Sequence, residues 1–397
     1  MSPESPIRPV FDDPSYTPLK EAASLFEEHP KEEKTYTDPS QFEKRQWHEL
    51  KIAVEMMAQD VNGYLKEKTG LEKPVIDAYG RISPDAYAGA FNFPQKKIDT
   101  DNTYVAEREE EFMWQAASHK AGSAREPVYN AMTESDKEKI AYHYATTYGV
   151  STTKDMLDMW RKERSQGLAE GWEMLSTTLF HKAFGDRMIV ARAAAFDDIA
   201  NGVDTVIIDK ERGDIICAFD ELHEVQGAVL SEKRREMKRV AMQQKNNAGG
   251  ITLSYGFKKT PTGFTPTSMP HIPVLCLSVE TEHLKRILYG FSAEGSLSDE
   301  ERAFVSDMLE QLLAEAEHAD DALVEEGERR RERRNVVIEE RKRLQSAHGE
   351  RNFTKERILL AEEHALTIPI DEAPVTQRVR RAIHMLHVLH EELRTHE

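Results

Sequence analysis

FDDIANGVDTVIIDKERGDIICAFDELHE, residues 196–224, is the stretch from which the rest of the chain is read. VDTVIID and DIICAFD are rich in Val, Ile and Phe, and KERG between them has turn character, so the segment predicts a β-hairpin. A three-residue loop of Glu211, Arg212 and a left-handed Gly213 puts Lys210 opposite Asp214 and Asp204 opposite Asp220. Directly opposed side chains have Cβ atoms about 5 Å apart, close enough for two carboxylates to share one cation. Without a cation, two buried like charges repel and one of them protonates, which makes the pair a candidate metal site. The register decides the matter. A four-residue loop moves Asp204 opposite Phe219, turns Asp220 to the other face and removes the site.

Apolar residues occupy both faces of each strand: Val206 and Ile208 alternate with Thr205 and Ile207, and Ile216 and Ala218 with Ile215, Cys217 and Phe219. Strands of this kind lie in the middle of a sheet covered by helices. Working outward, strands are added at about 187–193 (within RMIVARAAA), at 251–257 (ITLSYGF) and at 273–279 (PVLCLSV), and a helix is expected over 167–184 with Gly185 closing it. A basic helix, SEKRREMKRVAMQQK (231–245), stands between the third and fourth strands, and another helix over 281–290 has Thr281 as its candidate cap. The fold class is α/β.

This core, 166–291, is flanked by helical regions. Residues 1–40 read as a flexible acidic arm with one short helix near 18–28. Residues 41–165 carry helices at about 40–68, 103–120, 135–148 (with Ser135–Glu138 as a capping box) and 152–164. Residues 297–397 open on a second capping box, Ser298–Glu301, and run into long charged helices, with further helices at 354–365 and 374–394. Few apolar residues fall between 325 and 335, so this region is expected to touch the α/β core little.

Net charge is −18 over 397 residues, which excludes a chain built as a whole to coat nucleic acid or an anionic membrane, though not one with a local basic groove. The only cysteines, Cys217 and Cys276, lie in apolar strands and read as reduced core residues of a cytoplasmic protein. MSPESPIRPVFDDPSYTP at the start is polar and proline-rich, unlike a signal peptide, and no apolar run approaches a membrane span.

The element order over 167–257, with Asp204 and Asp220, resembles the PD-(D/E)xK nuclease superfamily, whose core is α-β-β-β-α-β. The wording of the segment also resembles uncharacterised proteins of candidate-phyla bacteria that carry such a core. The resemblance implies Mg2+ or Mn2+ bound by Asp204 and Asp220, with Glu170 or Glu173 as the acidic residue of the preceding helix. It covers about a third of the chain. It also implies a lysine two residues after Asp220, where Leu222 stands. Such a lysine polarises the attacking water and stabilises charge developing on the phosphate. Glu221 with His223, one residue out of frame, or Lys233 or Lys238 from the basic helix, are the alternatives.

Helix 231–245 offers a positive face for a phosphate backbone, or else a solvated face over Met237, Val240 and Ala241. The Arg-rich 328–343 stretch is balanced by glutamates and reads as ion-paired and exposed. His384, His387 and His390 spread over about 120° of one helix and cannot converge on a single ion. Two functions follow: a metal-dependent nuclease, active or degenerate, using Glu173, Asp204, Asp220 and Lys233; or a non-catalytic interaction protein that self-associates through its C-terminal helices.

Overall fold

Leu50, Val54, Met57, Val61 and Leu65 recur at helical spacing and form the buried apolar stripe of α1 (Pro39–Thr69), with Trp47 half-buried beside it. The computed structural model describes residues 39–90, 93–120, 132–223, 249–261, 263–346, 353–366 and 373–395. The expected helix at 18–28 and the basic helix 231–245, with Lys233 and Lys238, lie outside them. Helices α2 (Gln95–Lys120), α3 (Glu134–Tyr148) and α4 (Thr153–Arg164) share a small core of their own around Met113, Trp114, Ile140, Tyr144 and Met156. The capping box of α3 is formed by Thr133 and Asp136 rather than by Ser135: each side chain accepts the other's backbone N–H, at 3.2 and 3.0 Å.

The α/β region follows as α5 (Leu168–Phe184), β1 (Met188–Arg192), α6 (Ala195–Asn201), β2 (Thr205–Asp209) and β3 (Ile215–His223). Then come β4 (Ile251–Thr260), β5 (Gly263–Ile272), β6 (Val274–Val279) and α7 (Thr281–Gly290). The main sheet has order β1-β2-β3-β6, with β1, β2 and β3 antiparallel in turn and β6 parallel to β3. Strand 251–257 was expected to be the fourth strand of this sheet. It pairs with β5 in a separate two-stranded sheet instead, and β6 takes the fourth place. The burial patterns give the reason. β4 alternates buried and exposed residues over its first half, which suits one covered face, whereas VLCLSV is apolar almost throughout. Strand β5 carries Pro266 and Pro270, which hid it in the sequence. Helix α7 starts after Glu280 with no side-chain cap, so Thr281 lies within it.

The hairpin forms, and its register is reached by an unexpected route. Asp209 N–H donates to Asp214 at 2.9 Å, so the loop Lys210–Gly213 has four residues, not three. The Asp209 carboxylate holds this wider turn by accepting from Glu211 N (2.7 Å) and Arg212 N (3.0 Å). Gly213 is left-handed at φ 70°, and a Cβ there would fall 2.8 Å from the Lys259 Cβ, against the β4–β5 hairpin. A bulge then intervenes. Ile208 pairs with Ile215, but Ile207 pairs with Cys217, and Thr205 with Phe219. The extra residue restores the register that a three-residue loop would have produced, so the outer half of the ladder leads towards Asp204 and Asp220 as expected.

Helix α5 lies on one face of the sheet, where Phe180 packs on Phe219 at 5.8 Å and the Thr177 and Thr205 hydroxyls meet at 3.2 Å. Both faces of β2 are buried. The C-terminal part is α8 (Asp299–Ser346), α9 (Phe353–Ala365) and α10 (Pro374–Thr395). The Ser298–Glu301 capping box forms, at 2.7 and 3.2 Å. Separation from the core does not hold for the start of α8 or for α10. Phe304, Val305, Met308 and Leu312 of α8, and Met385, Leu386 and Leu389 of α10, belong to the main hydrophobic core. Among the described residues, the distal half of α8 and α9 contribute nothing to that core and are joined by ion pairs into a helical arm. The three histidines of α10 do not converge: His390 meets Ser306 at 2.9 Å and His387 lies 3.8 Å from Glu317.

Candidate metal centre

Four elements deliver carboxylates to one end of the main sheet. The start of α5 carries Glu170 and Glu173 one turn apart. Helix α6 carries Asp197 and Asp198 in its first turn, Asp204 immediately precedes β2, and Asp220 and Glu221 lie in the last turnings of β3. Oxygens of Glu173, Asp198 and Asp204 lie within 4.8 Å of one another, all three residues being buried. The Asp204 carboxylate reaches across to the neighbouring strand, where Oδ2 accepts the Glu221 N–H at 2.7 Å. Glu221 turns towards α5, and its Oε1 accepts from Thr205 Oγ1 (2.9 Å) and Ser176 Oγ (2.5 Å). Among the described residues its Oε2, also buried, has no hydrogen-bond partner.

Two arginines enter the same cluster. Arg192 ends β1, is fully enclosed, and donates to Glu170 Oε1 at 2.6 Å, to Glu173 Oε2 and to the Tyr79 carbonyl at 3.1 Å. Arg81 donates to Asp198 Oδ2 at 2.8 Å and to Glu173 Oε2 at 2.9 Å. Arg164 approaches Asp198 at 3.9 Å. The chain brings Arg81 there through residues 75–83, where Arg81 bridges to Arg192 at the edge of the main sheet and Asn62 holds Val75 and Ile76 at 2.7 and 2.8 Å.

These neighbours set the charge states. Burial, then the charges of Glu173, Asp220, Asp198 and Glu221, push the Asp204 carboxyl well above the ordinary carboxylate range. Burial and Glu173 likewise push Glu221 well up, against the lowering effect of its two hydroxyl donors. Glu173 is raised because burial outweighs Arg192 and Arg81. At Glu170 burial is overcome by the same two arginines, which hold it down at about 2. Asp197 points elsewhere: it accepts from the Ser254 and Tyr255 N–H groups at 2.7 and 3.1 Å, tying β4 to α6, and burial pushes it up to about 6.

The donor set suits a hard divalent cation, being carboxylate oxygen throughout. Glu221 Oε2, without a partner among the described residues, points the same way, and the raised Asp204 is a carboxyl that neither arginine contacts and that a cation would hold ionised. Of the residues named from the sequence, Asp204 and Glu173 meet directly, with Glu170 behind them on Arg192. Asp220, expected to share the cation with Asp204, is not one of the three that converge; it stands one step beyond the last described pair of the hairpin ladder and acts on Asp204 through its charge. Asp198, Arg81 and Arg192 were not anticipated. The DD pair at 197–198 was visible, but nothing in its spacing says which aspartate turns to the sheet end. No protein-family model, curated protein or solved structure matches the chain.

Proposed function

We propose that this protein is a metal-dependent nuclease-like hydrolase of DNA or RNA phosphodiesters, built on a PD-(D/E)xK-like core. The observation that carries the reading is the meeting of Glu173, Asp198 and Asp204 oxygens within 4.8 Å in a buried place. Support also comes from the order helix, three antiparallel strands and a fourth strand parallel to the third. Mg2+ or Mn2+ would be held by these three residues, with Asp220 and Glu221 beside them, and when bound would supply water activation and neutralisation of phosphate charge. Glu170 keeps Arg192 in place, and Arg192 in turn orients Glu173. The Asp204 carboxylate is fixed by the Glu221 N–H. Nucleic acid would approach through the basic segment 231–245, which includes Lys233 and lies outside the described residues. No helix among the described residues is long and apolar enough to cross a membrane.

The second reading is a non-catalytic interaction protein whose C-terminal helices self-associate. Leu222, buried where the superfamily's lysine would stand, favours it, as do the arginines already bonded to Glu170, Glu173 and Asp198. Titration with Mg2+ and Mn2+ separates the two. On the nuclease reading millimolar metal raises the melting temperature and supports cleavage of a labelled DNA or RNA, because binding to the native state alone stabilises it. Asp204→Ala and Asp198→Ala abolish both effects. A metal-dependent shift without cleavage leaves a binding scaffold only, and no shift at all leaves the interaction protein.

A further inference from the structure

Arg81 and Arg192 make similar bonds, yet they are held differently. Arg192 has no exposed side-chain surface, whereas the Arg81 side chain is 16% exposed. Arg192 is fastened at both ends of its guanidinium to Glu170 and Glu173 and also to the Tyr79 carbonyl, so it has no freedom to meet a substrate. Arg81 instead spans Glu173 Oε2 and Asp198 Oδ2, on two of the three carboxylates that would hold a cation. It sits at the end of a tight turn. Asp77 Oδ1 accepts from Tyr79 N and Arg81 N at 2.8 and 2.9 Å, and Gly80 is left-handed at φ 76°. A Cβ on Gly80 would lie 3.0 Å from Met57 and 3.2 Å from Val54, so the turn is pressed onto α1 and its position is fixed.

A guanidinium fork serves a pair of carboxylates and a phosphate equally well, because both present oxygens at the spacing of its N–H groups. A divalent cation binds carboxylate oxygens at about 2.0–2.6 Å, and its charge repels a guanidinium that shares them. Removal of Arg81 from Glu173 and Asp198 therefore accompanies cation binding, and leaves a positive fork at the rim of the site. Leu222, 4% exposed, cannot supply this charge. Arg164 lies farther out, at 3.9 Å from Asp198.

We propose that Arg81 is the phosphate-binding residue of the site, held by Glu173 and Asp198 until a divalent cation takes their oxygens. The proposal rests on the metal-dependent reading above, and the unpartnered buried Glu221 Oε2 is a second, separate sign that a cation belongs there.

Two titrations of the full chain test it: Mg2+ by calorimetry, and dimethyl phosphate, the smallest phosphodiester, by its phosphorus resonance with and without saturating Mg2+. Wild type is expected to bind dimethyl phosphate only with Mg2+ present. Arg81→Gln should bind Mg2+ at least about tenfold more tightly, because the competing charge is gone, yet bind dimethyl phosphate at least about tenfold more weakly. Arg81→Lys, which keeps the charge but loses the fork, should fall between and carries the test if Arg81→Gln fails to fold. Arg164→Gln should leave both affinities within about twofold. Unchanged Mg2+ affinity in Arg81→Gln, or undiminished phosphate binding by it, overturns the proposal while leaving the metal site standing. If Mg2+ binds neither wild type nor variant, the metal-dependent reading itself falls and Arg81 is a permanent counter-ion.

Discussion

Basic side chains and glutamates meet in two regions of this molecule, and the meetings differ in kind. At the end of the main sheet Arg192 is enclosed between Glu170 and Glu173 with no exposed surface. On the distal arm of α8 and α9, Arg333 meets Glu362 at 2.8 Å and Lys355 meets Glu340 at 2.8 Å, with side chains about as exposed as solvated surface residues. In the first place each charge has lost its water and depends on its partner. In the second, water competes for every bond and salt screens what remains. The same residue types thus make a site with large electrostatic consequences in one region and a soluble surface in the other.

The comparison breaks most visibly if Arg192 can be removed without harm. Arg192→Met should destabilise the fold by about 3–5 kcal/mol, since it strands Glu170 and Glu173 without their enclosed partner. Urea denaturation measures this, and a loss below about 1 kcal/mol would place the buried pair in the same class as the surface ones. A smaller effect concerns pH in the presence of a chelator. Asp204 and Glu221 have folded-state values raised above the unfolded carboxylate range, so the native state binds more protons than the unfolded chain. Stability is then full below about pH 4 on their account and falls as pH rises towards their folded values. Glu170, held down at about 2, works in the opposite sense, and only below that range. Asp204→Asn should flatten the decline, and Mg2+ should abolish it. The least effect is expected on the arm. Arg333→Ala should change stability by no more than about 1 kcal/mol, and by less in high salt, when measured by the same denaturation.

Much of the framework was legible before any coordinates. The stripe Leu50–Leu65, the box Ser298–Glu301 and the two-faced strands around Gly213 each obey a local period or a local capping rule, and each formed as expected. Strand β5 was missed because its prolines argue against a strand wherever both edges are paired, and here only one is. The fourth strand was misassigned because ITLSYGF and VLCLSV are both plausible strands. Only their patterns of burial, alternating in one and nearly continuous in the other, separate a hairpin from a covered sheet.

The hairpin shows where the boundary lies. Sequence alone determined that 204–220 would turn back on itself near Gly213 and carry acids at its open end. The four-residue loop and the compensating bulge were decided by Asp209 accepting two turn N–H groups and by the β4–β5 hairpin pressing on Gly213. The composition of the site was likewise outside the reach of periodicity. Arg81 and Asp198 meet across 117 positions of chain, and Arg192 and Glu173 across 19. A helix or strand repeats its own residues at a fixed spacing, so a sequence announces which face is apolar. Charges that converge from separate elements have no such period, and which of them share one dry volume is fixed only when the elements pack.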